Sequence, residues 1–276
     1  MPELPEVETI MRGLAPHLEQ AVIQDVVVRQ KRLRWPIPDN LKSSLMHQRI
    51  VRLSRRGKYL LLHMPSGTLI VHLGMSGSLC IVPMTTTPQT HAHVDIVFSA
   101  THLLRYHDPR RFGAILWTEA APLQHPLLQP LGVEPLDSAF TGEYLYQRAT
   151  RRSVAIKAFI MNSHIVTGIG NIYAAEALFL ARIHPETSVS QLAVSDFSRL
   201  VCAIQQVLHE AIQQGGTTIK DFVNSLGKPG YFVQKLNVYG RKGKPCHVCG
   251  TALQSMVMGQ RSTVYCAHCQ AAPASS

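Results

Sequence analysis

Residues 246–269 read CHVCGTALQSMVMGQRSTVYCAHC, and the cysteines in this segment determine the structure of the C-terminal end of the chain. Two C-x2-C pairs, separated by 16 residues, supply four cysteines: Cys246, Cys249, Cys266 and Cys269. Four thiolates in this spacing can close a tetrahedron around one ion, and zinc is the expected metal. The segment between the pairs is long enough for a two-stranded hairpin with Arg261 on or near its turn. Because four protein ligands leave no position for water, the spacing predicts one structural zinc ion rather than a catalytic one.

The composition is that of a folded protein with a polyanionic partner. The 276 residues are 46% hydrophobic, which is enough to bury the cores of two domains. Lys and Arg total 27 against 17 Asp and Glu, a net charge of +10 that favours nucleic acid as the partner. The basic residues form five clusters between apolar segments, which is more typical of one assembled groove than of a basic tail: Arg29–Arg34, Arg52–Lys58, Arg110–Arg111, Arg151–Arg152 and Arg241–Lys244.

The sequence indicates neither a signal segment nor a membrane span. Its first residues lack a charged segment followed by a long apolar stretch, and no window approaches 18 uninterrupted apolar residues. The paired cysteines favour metal ligation over disulfides, and the remaining two, Cys80 and Cys202, are expected to be small core residues. We therefore expect a cytoplasmic protein with no membrane partner.

The first 120 residues combine one helix with many short strands. Apolar side chains at helical spacing predict a helix over Pro5–Leu18, ended or kinked at Pro16. The β-rich runs that follow predict an antiparallel sandwich or barrel, and glycines and an Asp-Pro pair make His72–Gly77 and Asp108–Gly113 loop tips. The predicted strands are Val22–Val28, Tyr59–Met64, Thr68–Leu73, His93–Ser99, Leu103–His107 and Ala114–Trp117.

The second half is predicted to be helical. Four prolines in Ala121–Gly142 favour a linker, and helices are expected over Asn171–Ala181 and along the apolar stripe from Leu200 to Ile212. The glycines before Asn171 would point backbone amides outward at a helix start, which suits a phosphate. A DNA phosphate fits better than a dinucleotide because no strand of a βαβ unit precedes the glycines. Lys157 and Asn171 are then candidate phosphate contacts, the alternative being a solvent-facing lysine and a helix cap.

The N-terminus, Met1-Pro2-Glu3-Leu4, carries a possible nucleophile. Removal of Met1 would leave Pro2 as a secondary amine, and an α-amino group titrates near pH ~8, well below a lysine at ~10.4. Such an amine can condense with the anomeric carbon of a deoxyribose to an iminium, with Glu3 as the nearby acid. The alternative is an ordinary helix start, since proline follows Met1 in many proteins. Pro5 and the acidic residues after it are best explained by that helix start.

Beyond these patterns, the chain resembles the bacterial formamidopyrimidine-DNA glycosylases of the Fpg and Nei superfamily over residues 1–270. The resemblance rests on the cysteine pairs and on eight further motifs: MPELPEVET at 1–9, RRGKYLL at 55–61, HLGMSGSL at 72–79, DPRRFGA at 108–114, GIGNIYAAEALF at 168–179, GGTTIKDF at 215–222, GKPGYF at 227–232 and VYGRKGKPC at 238–246.

The resemblance implies an α+β protein with two lobes that grip DNA between them. It predicts an N-terminal antiparallel β-sandwich with flanking helices, and a C-terminal helix-two-turns-helix lobe with a zinc-finger β-hairpin held by the four cysteines. The expected bounds are a catalytic lobe at 1–130, a linker at 131–150, the helical DNA-binding lobe at 151–235, the zinc finger at 236–270 and a tail at 271–276.

The resemblance also implies roles for individual residues. Pro2 is the nucleophile, Glu3 the acid that opens the sugar ring and Lys58 a proton donor in β-elimination, while Arg261 serves δ-elimination. The implied DNA contacts, of which Met75, Arg110 and Phe112 fill the gap left by an extruded base, are His72, Met75, His91, Arg110, Phe112, Arg152, Lys157 and Asn171. The loop that closes over the extruded base is expected to include Thr217, Thr218 and Lys220.

By this resemblance the protein is a bifunctional glycosylase and abasic-site lyase of base excision repair. Its expected substrates are oxidised purines, 8-oxoguanine and formamidopyrimidines, in double-stranded DNA of the bacterial nucleoid. Zinc is the only cofactor expected, no nucleotide cofactor is needed, and a monomer is expected. Two alternatives stay open: the pyrimidine-preferring Nei branch, and a non-catalytic zinc-ribbon protein that only binds damaged or bent DNA.

Overall fold

The computed structural model describes residues 2–216 and 236–272. The chain divides into two compact units, one of Met1–Pro130 with Ile212–Val233 and the other of Leu131–Ala211 with Gln234–Ser276. The expected loop residues Thr217, Thr218 and Lys220 lie outside the described residues.

The first unit begins with helix α1, Leu4–Leu18. Glu3 is its N-cap and forms a capping box with Glu6, whose Oε2 accepts from the Glu3 backbone N–H at 2.8 Å. Proline in the first turn fits the helix start because its missing N–H needs no partner there. Pro16 lies inside the helix, which continues for two residues beyond it. The predicted helix is confirmed, and its buried side chains face the core.

Two four-stranded antiparallel sheets form the sandwich of the first unit. The first sheet has the order β1-β6-β7-β5 and the second the order β2-β3-β4-β8. One continuous core joins the two sheets and α1, and it includes Leu60 and Val71 from one sheet and Ile96 and Leu104 from the other. The strands are β1 Asp25–Val28, β2 Arg52–Arg56, β3 Tyr59–Met64, β4 Gly67–His72, β5 Ser78–Pro83, β6 Ala92–Val97, β7 His102–His107 and β8 Ala114–Thr118, with a short helix α2, Leu41–Leu45.

The predicted antiparallel sandwich is therefore confirmed, as are both loop tips. The β4–β5 connection runs from Leu73 to Gly77, and the β7–β8 connection runs from Asp108 to Gly113. The β4–β5 loop follows a strand of one sheet and the β7–β8 loop follows a strand of the other sheet, because β4 and β7 belong to different sheets.

The second unit is mainly helical. Its helices are α3 Gly142–Ala149, α4 Ile156–Ile160, α5 Asn171–Leu180 and α6 Val194–Gln213. α5 and α6 confirm the two predicted helices. α3 lies inside the stretch 131–150, where a linker is expected. Gly168, at a φ of +86°, and Gly170, the N-cap of α5, occupy the predicted glycine turn.

The zinc-finger hairpin consists of β9, Gln254–Met258, and β10, Arg261–Tyr265, which pair antiparallel with Met258 opposite Arg261. Gly259 and Gln260 form the turn, both with positive φ angles, so Arg261 is the first residue after it. The hairpin predicted between the cysteine pairs is confirmed.

The expectation that Cys202 is a core residue is wrong: its side chain is exposed on α6, whose buried face is formed by residues that include Leu200, Val201 and Ala203. Among the described residues, no helix is long and apolar enough to cross a membrane.

Candidate active site and nucleic-acid contacts

Pro2 and Glu3 lie together at the start of α1. Both are buried, and Glu3 is only 2% exposed. The capping box fixes the Glu3 backbone against the first turn, and Pro2 is the residue directly before it. Gly216, with a φ of +80°, lies against Glu6 in the same unit, with Glu6 Oε1 3.3 Å from where a β-carbon would stand.

Lys58 lies in the two-residue turn between β2 and β3. Arg55 holds this turn to α1: its Nε donates to Glu8 Oε2 at 2.9 Å, and its Nη1 donates to the Gly57 carbonyl at 2.9 Å. Both partners in the Arg55–Glu8 ion pair are largely buried, with side chains 10% and 12% exposed. The ion pair therefore connects the segment that carries Lys58 with the helix that carries Glu3.

His72 ends β4 beside the Lys58 turn. Burial, together with the positive charges of Lys58 and Arg34, lowers the pKa of His72 to about 4. The Gly74 backbone N–H donates to His72 Nδ1 at 3.0 Å, so the neutral ring carries its proton on Nε2. At neutral pH, His72 can offer a phosphate an N–H donor but not a positive charge.

The two loop tips of the first unit carry three exposed side chains, Met75, Arg110 and Phe112. Met75 is 43% exposed and Phe112 is 44% exposed, which is unusual for large apolar residues. The Arg110 guanidinium carbon lies 4.7 Å from the centre of the Phe112 ring, in a cation–π contact. His91 precedes β6 with a φ of +77°, and its carbonyl accepts from the Asp108 backbone N–H at 3.1 Å. These predicted DNA contacts are thus brought to one end of the sandwich, where β4 and β7 end and β6 begins.

The predicted contacts of the second unit differ in exposure. Arg152 is exposed just after α3. Lys157 is only 2% exposed, and its ammonium donates to Asn171 Oδ1 at 2.6 Å and to Thr263 Oγ1 at 2.5 Å. Asn171 Nδ2 in turn donates to the Ser262 carbonyl at 3.1 Å. Lys157 and Asn171 therefore hold the strand that begins with the exposed Arg261.

The four cysteines of the zinc finger fit a single metal ion. Their sulfur atoms all lie within 4.8 Å of one another, with Cys246 and Cys269 at 3.9 Å and Cys249 and Cys266 at 3.5 Å. A tetrahedral zinc ion with Zn–S bonds of about 2.3 Å requires sulfur atoms roughly 3.8 Å apart. Burial and the three neighbouring thiols raise the pKa of Cys269 to about 12, which a bound cation would reverse.

Two buried carboxylates that accept several hydrogen bonds have no role predicted from the sequence. Asp108 is fully buried and accepts hydrogen bonds from two loops. The buried Glu176 of α5 accepts four hydrogen bonds, three from the backbone N–H groups of residues 237–239 and one from the Asn237 side chain. The only signal for Asp108 in the sequence is its place before a proline, which predicts a turn and no partner.

Three family models match the chain. Residues 1–115 match the formamidopyrimidine-DNA glycosylase N-terminal domain, residues 131–223 match the formamidopyrimidine-DNA glycosylase H2TH domain, and residues 243–272 match the zinc finger found in FPG and IleRS. The chain is 53% identical to a formamidopyrimidine-DNA glycosylase of Nitrosococcus oceani over 270 residues, which cover 98% of this chain and 100% of that relative.

Solved structures agree with the sequence comparison. One is a complex of Lactococcus lactis Fpg (MutM) with DNA containing N7-benzyl-Fapy-dG, with a TM-score of 0.91 and 32% identity, covering 98% of this chain and all of that chain. Another holds the same L. lactis protein with DNA containing an oxidised pyrimidine, with a TM-score of 0.90, the same identity and the same coverage.

Proposed function

The chain belongs to the formamidopyrimidine-DNA glycosylase family, and we propose that it excises oxidised purines through a Pro2 iminium. It is a DNA glycosylase of base excision repair that acts on damaged double-stranded DNA and carries one structural zinc ion. The observation that carries the proposal is the alignment of 98% of the chain with a formamidopyrimidine-DNA glycosylase, together with Pro2 and Glu3 at the start of α1.

The proposed chemistry begins with the amine of Pro2 after Met1 has been removed. Its nitrogen attacks the anomeric carbon C1′ as the bond to the damaged base breaks, and the proton that the nitrogen loses balances the negative charge of the departing base. Glu3 then supplies a proton to the opening sugar ring. The resulting iminium withdraws electrons, so C2′ loses a proton to solvent, a C2′–C3′ double bond forms and the phosphate on the 3′ carbon is expelled. Lys58 is the proposed proton donor in this β-elimination, and Arg261 assists the δ-elimination that expels the second phosphate.

The proposed division of labour follows the expected domain bounds. Residues 1–130 supply the amine, the acid and the side chains that replace the extruded base, and residues 151–270 add phosphate contacts and Arg261. Extruding a base from a duplex costs a few kcal/mol, and the space it leaves must be filled. Met75, Arg110 and Phe112 are suited to that space because two are apolar and one can donate hydrogen bonds to a base.

The first experiment is borohydride trapping of the Met1-processed protein. A covalent adduct at Pro2, stronger with 8-oxoguanine opposite cytosine than with an oxidised pyrimidine, would support the proposal. The comparison is needed because one L. lactis structure contains oxidised-pyrimidine DNA. Adducts mainly on the pyrimidine would favour the Nei type of specificity, and binding without any adduct would remove the Pro2 mechanism. Because the substrate is chromosomal DNA, we propose that the protein acts at the bacterial nucleoid. We also propose that it acts as a monomer.

A further inference from the structure

The two loops that carry Met75 and Arg110 are joined by one buried carboxylate. We refer to residues 73–77 as the Met75 loop and to residues 108–113 as the Arg110 loop. Asp108 is fully buried, and its Oδ1 accepts from Ser76 Oγ of the Met75 loop at 2.7 Å. Its Oδ2 accepts from the Gly113 backbone N–H at the far end of its own loop at 2.9 Å. The same side chain therefore closes the Arg110 loop and binds the Met75 loop to it.

Ser76 makes a second bond between the loops. Its hydroxyl donates to Asp108 and accepts from the Arg110 backbone N–H at 3.3 Å. A hydroxyl can donate and accept at once, whereas an alanine at this position could do neither. The Ser76 hydroxyl thus donates its proton to Asp108, the first residue of the Arg110 loop. Its oxygen accepts a hydrogen bond from the backbone of Arg110.

The backbones of the two loops are also in direct contact. Gly74 has a φ of +63°, and a β-carbon there would overlap the Phe112 carbonyl carbon. A β-carbon at Gly113 would overlap the Tyr106 hydroxyl and the His72 carbonyl. The Tyr106 hydroxyl lies 3.2 Å from Asp108 Oδ2 and 3.3 Å from the His72 carbonyl, so it fills the space beneath both loops.

From this arrangement we infer that Ser76 and Asp108 are positioning residues that join the two loops into one wedge for the DNA duplex. The inference rests on the proposed function, in which Met75, Arg110 and Phe112 occupy the space of the extruded base. All three project from the loops that the Ser76–Asp108 pair connects, and none of them supplies the connection through its side chain. The wedge is therefore already assembled before it meets DNA, and no loop ordering opposes its insertion.

The inference predicts that Ser76→Ala slows excision only where a base pair must be opened. Ser76→Ala removes a hydrogen bond to a buried carboxylate, so single-turnover excision of 8-oxoguanine opposite cytosine should slow by about tenfold or more. When the lesion faces an abasic analogue, little pairing has to be broken, and the rate should fall by less than about twofold. The fluorescence of 2-aminopurine beside the lesion should report slower extrusion in the paired duplex.

Two variants separate positioning from general damage to the fold. Ser76→Thr keeps the hydroxyl and should restore the rate on the paired lesion. Ser54→Ala is the matched control, because Ser54 Oγ is also half-buried in this unit and bonds another side chain, His63 Nε2, at 2.6 Å. It should leave the ratio of the rates on paired and unpaired lesions unchanged. Asp108→Asn is less informative because a fully buried carboxylate with three bonds can be required for folding.

The inference is overturned if Ser76→Ala excises both lesions at the wild-type rate, or slows both equally with no rescue by threonine. Met75→Ala tests the proposed function separately. If Met75→Ala leaves excision of the paired lesion unchanged, these side chains do not fill the gap and the proposed wedge itself is wrong. If Met75→Ala slows excision while Ser76→Ala does not, only the positioning role is lost.

Discussion

Lys157 Nζ donates to Asn171 Oδ1 at 2.6 Å, so two residues expected to bind DNA phosphates are bonded to each other. The ammonium also donates to Thr263, a residue of the zinc-finger strand β10, and is buried. The Lys157 ammonium in this position stabilises the second unit, since it joins α4, α5 and β10 through hydrogen bonds. Because Lys157 is only 2% exposed, a phosphate could reach its ammonium only if neighbouring atoms moved.

We therefore predict that Lys157→Met lowers stability more than it alters the salt dependence of DNA binding. Removing one member of a buried polar network leaves the others unpaired and should cost about 3 kcal/mol. Thermal unfolding and the slope of log affinity against log salt would be measured together. The exposed Arg152 provides the comparison, because Arg152→Ala should reduce the slope by about 0.9 if it neutralises one phosphate. An equal reduction of the slope by Lys157→Met would show that Lys157 binds phosphate directly.

Glu3→Gln should separate base removal from strand cleavage. The amide cannot donate the proton that opens the sugar ring, and a general acid contributes about 10²–10⁴-fold. Excision of 8-oxoguanine should slow by that amount, whereas cleavage at a preformed abasic site, whose sugar ring opens spontaneously to the aldehyde, should slow much less. Single-turnover kinetics on the two substrates give the comparison, with Pro2→Gly as the variant expected to lose both activities. Equal losses for Glu3→Gln on both substrates would place Glu3 in the elimination steps as well.

His72 should make the fold sensitive to acid. Its pKa is about 4 in the folded protein against 6.5 for an unperturbed histidine, because burial and the nearby cations disfavour the charged ring. The neutral ring therefore contributes stability that is complete above pH 6.5 and is lost as the pH falls from 6.5 towards 4, by up to about 3 kcal/mol. Denaturant unfolding at several pH values should show a shallower loss in His72→Gln than in the parent protein. Parallel curves for the two proteins would contradict the prediction.

Removal of zinc should unfold the hairpin that carries Arg261. Four clustered thiols without a cation favour protonation, and the small core beneath them includes Cys246 and Cys266 themselves. Chelation is expected to weaken DNA binding and δ-elimination and to spare the sandwich, whose core contains no cysteine among its buried members in the described part of the chain. Zinc release assayed beside circular dichroism and product analysis would test this. Unchanged δ-elimination in the metal-free protein would argue against a role for Arg261.

The parts of the fold that the sequence predicts are those with a strong local pattern. β3 and β4 are central strands with apolar runs, and both are predicted. The two sandwich strands that are not predicted, β2 and β5, are edge strands. β2 has the sequence RLSRR, in which charge obscures the strand pattern, and an edge strand tolerates such charge because one side meets no neighbour. β5 ends in a proline, which edge positions also accept.

In the candidate site, the sequence predicts where the residues lie but does not predict the contacts between distant residues. Met75, Arg110 and Phe112 are predicted to lie on loop tips, and that is where they are. Their connection through Ser76 and Asp108 joins positions 32 residues apart, and Lys157 bonds Thr263 across 106 residues. Periodicity and local motifs contain no information about such pairs, because the pairs depend on how distant segments of the chain end beside each other.

The Met75 and Arg110 loops combine a buried inner frame with exposed side chains, and this determines which substitutions the fold can accept. Asp108, Gly113 and Tyr106 leave no space for new atoms inside, so nearly any substitution there would disturb the fold. Met75, Arg110 and Phe112 point outward and take no part in the frame through their side chains. Under the proposed function, substitutions at these three exposed positions would therefore change the contacts with DNA while the scaffold that presents them is kept.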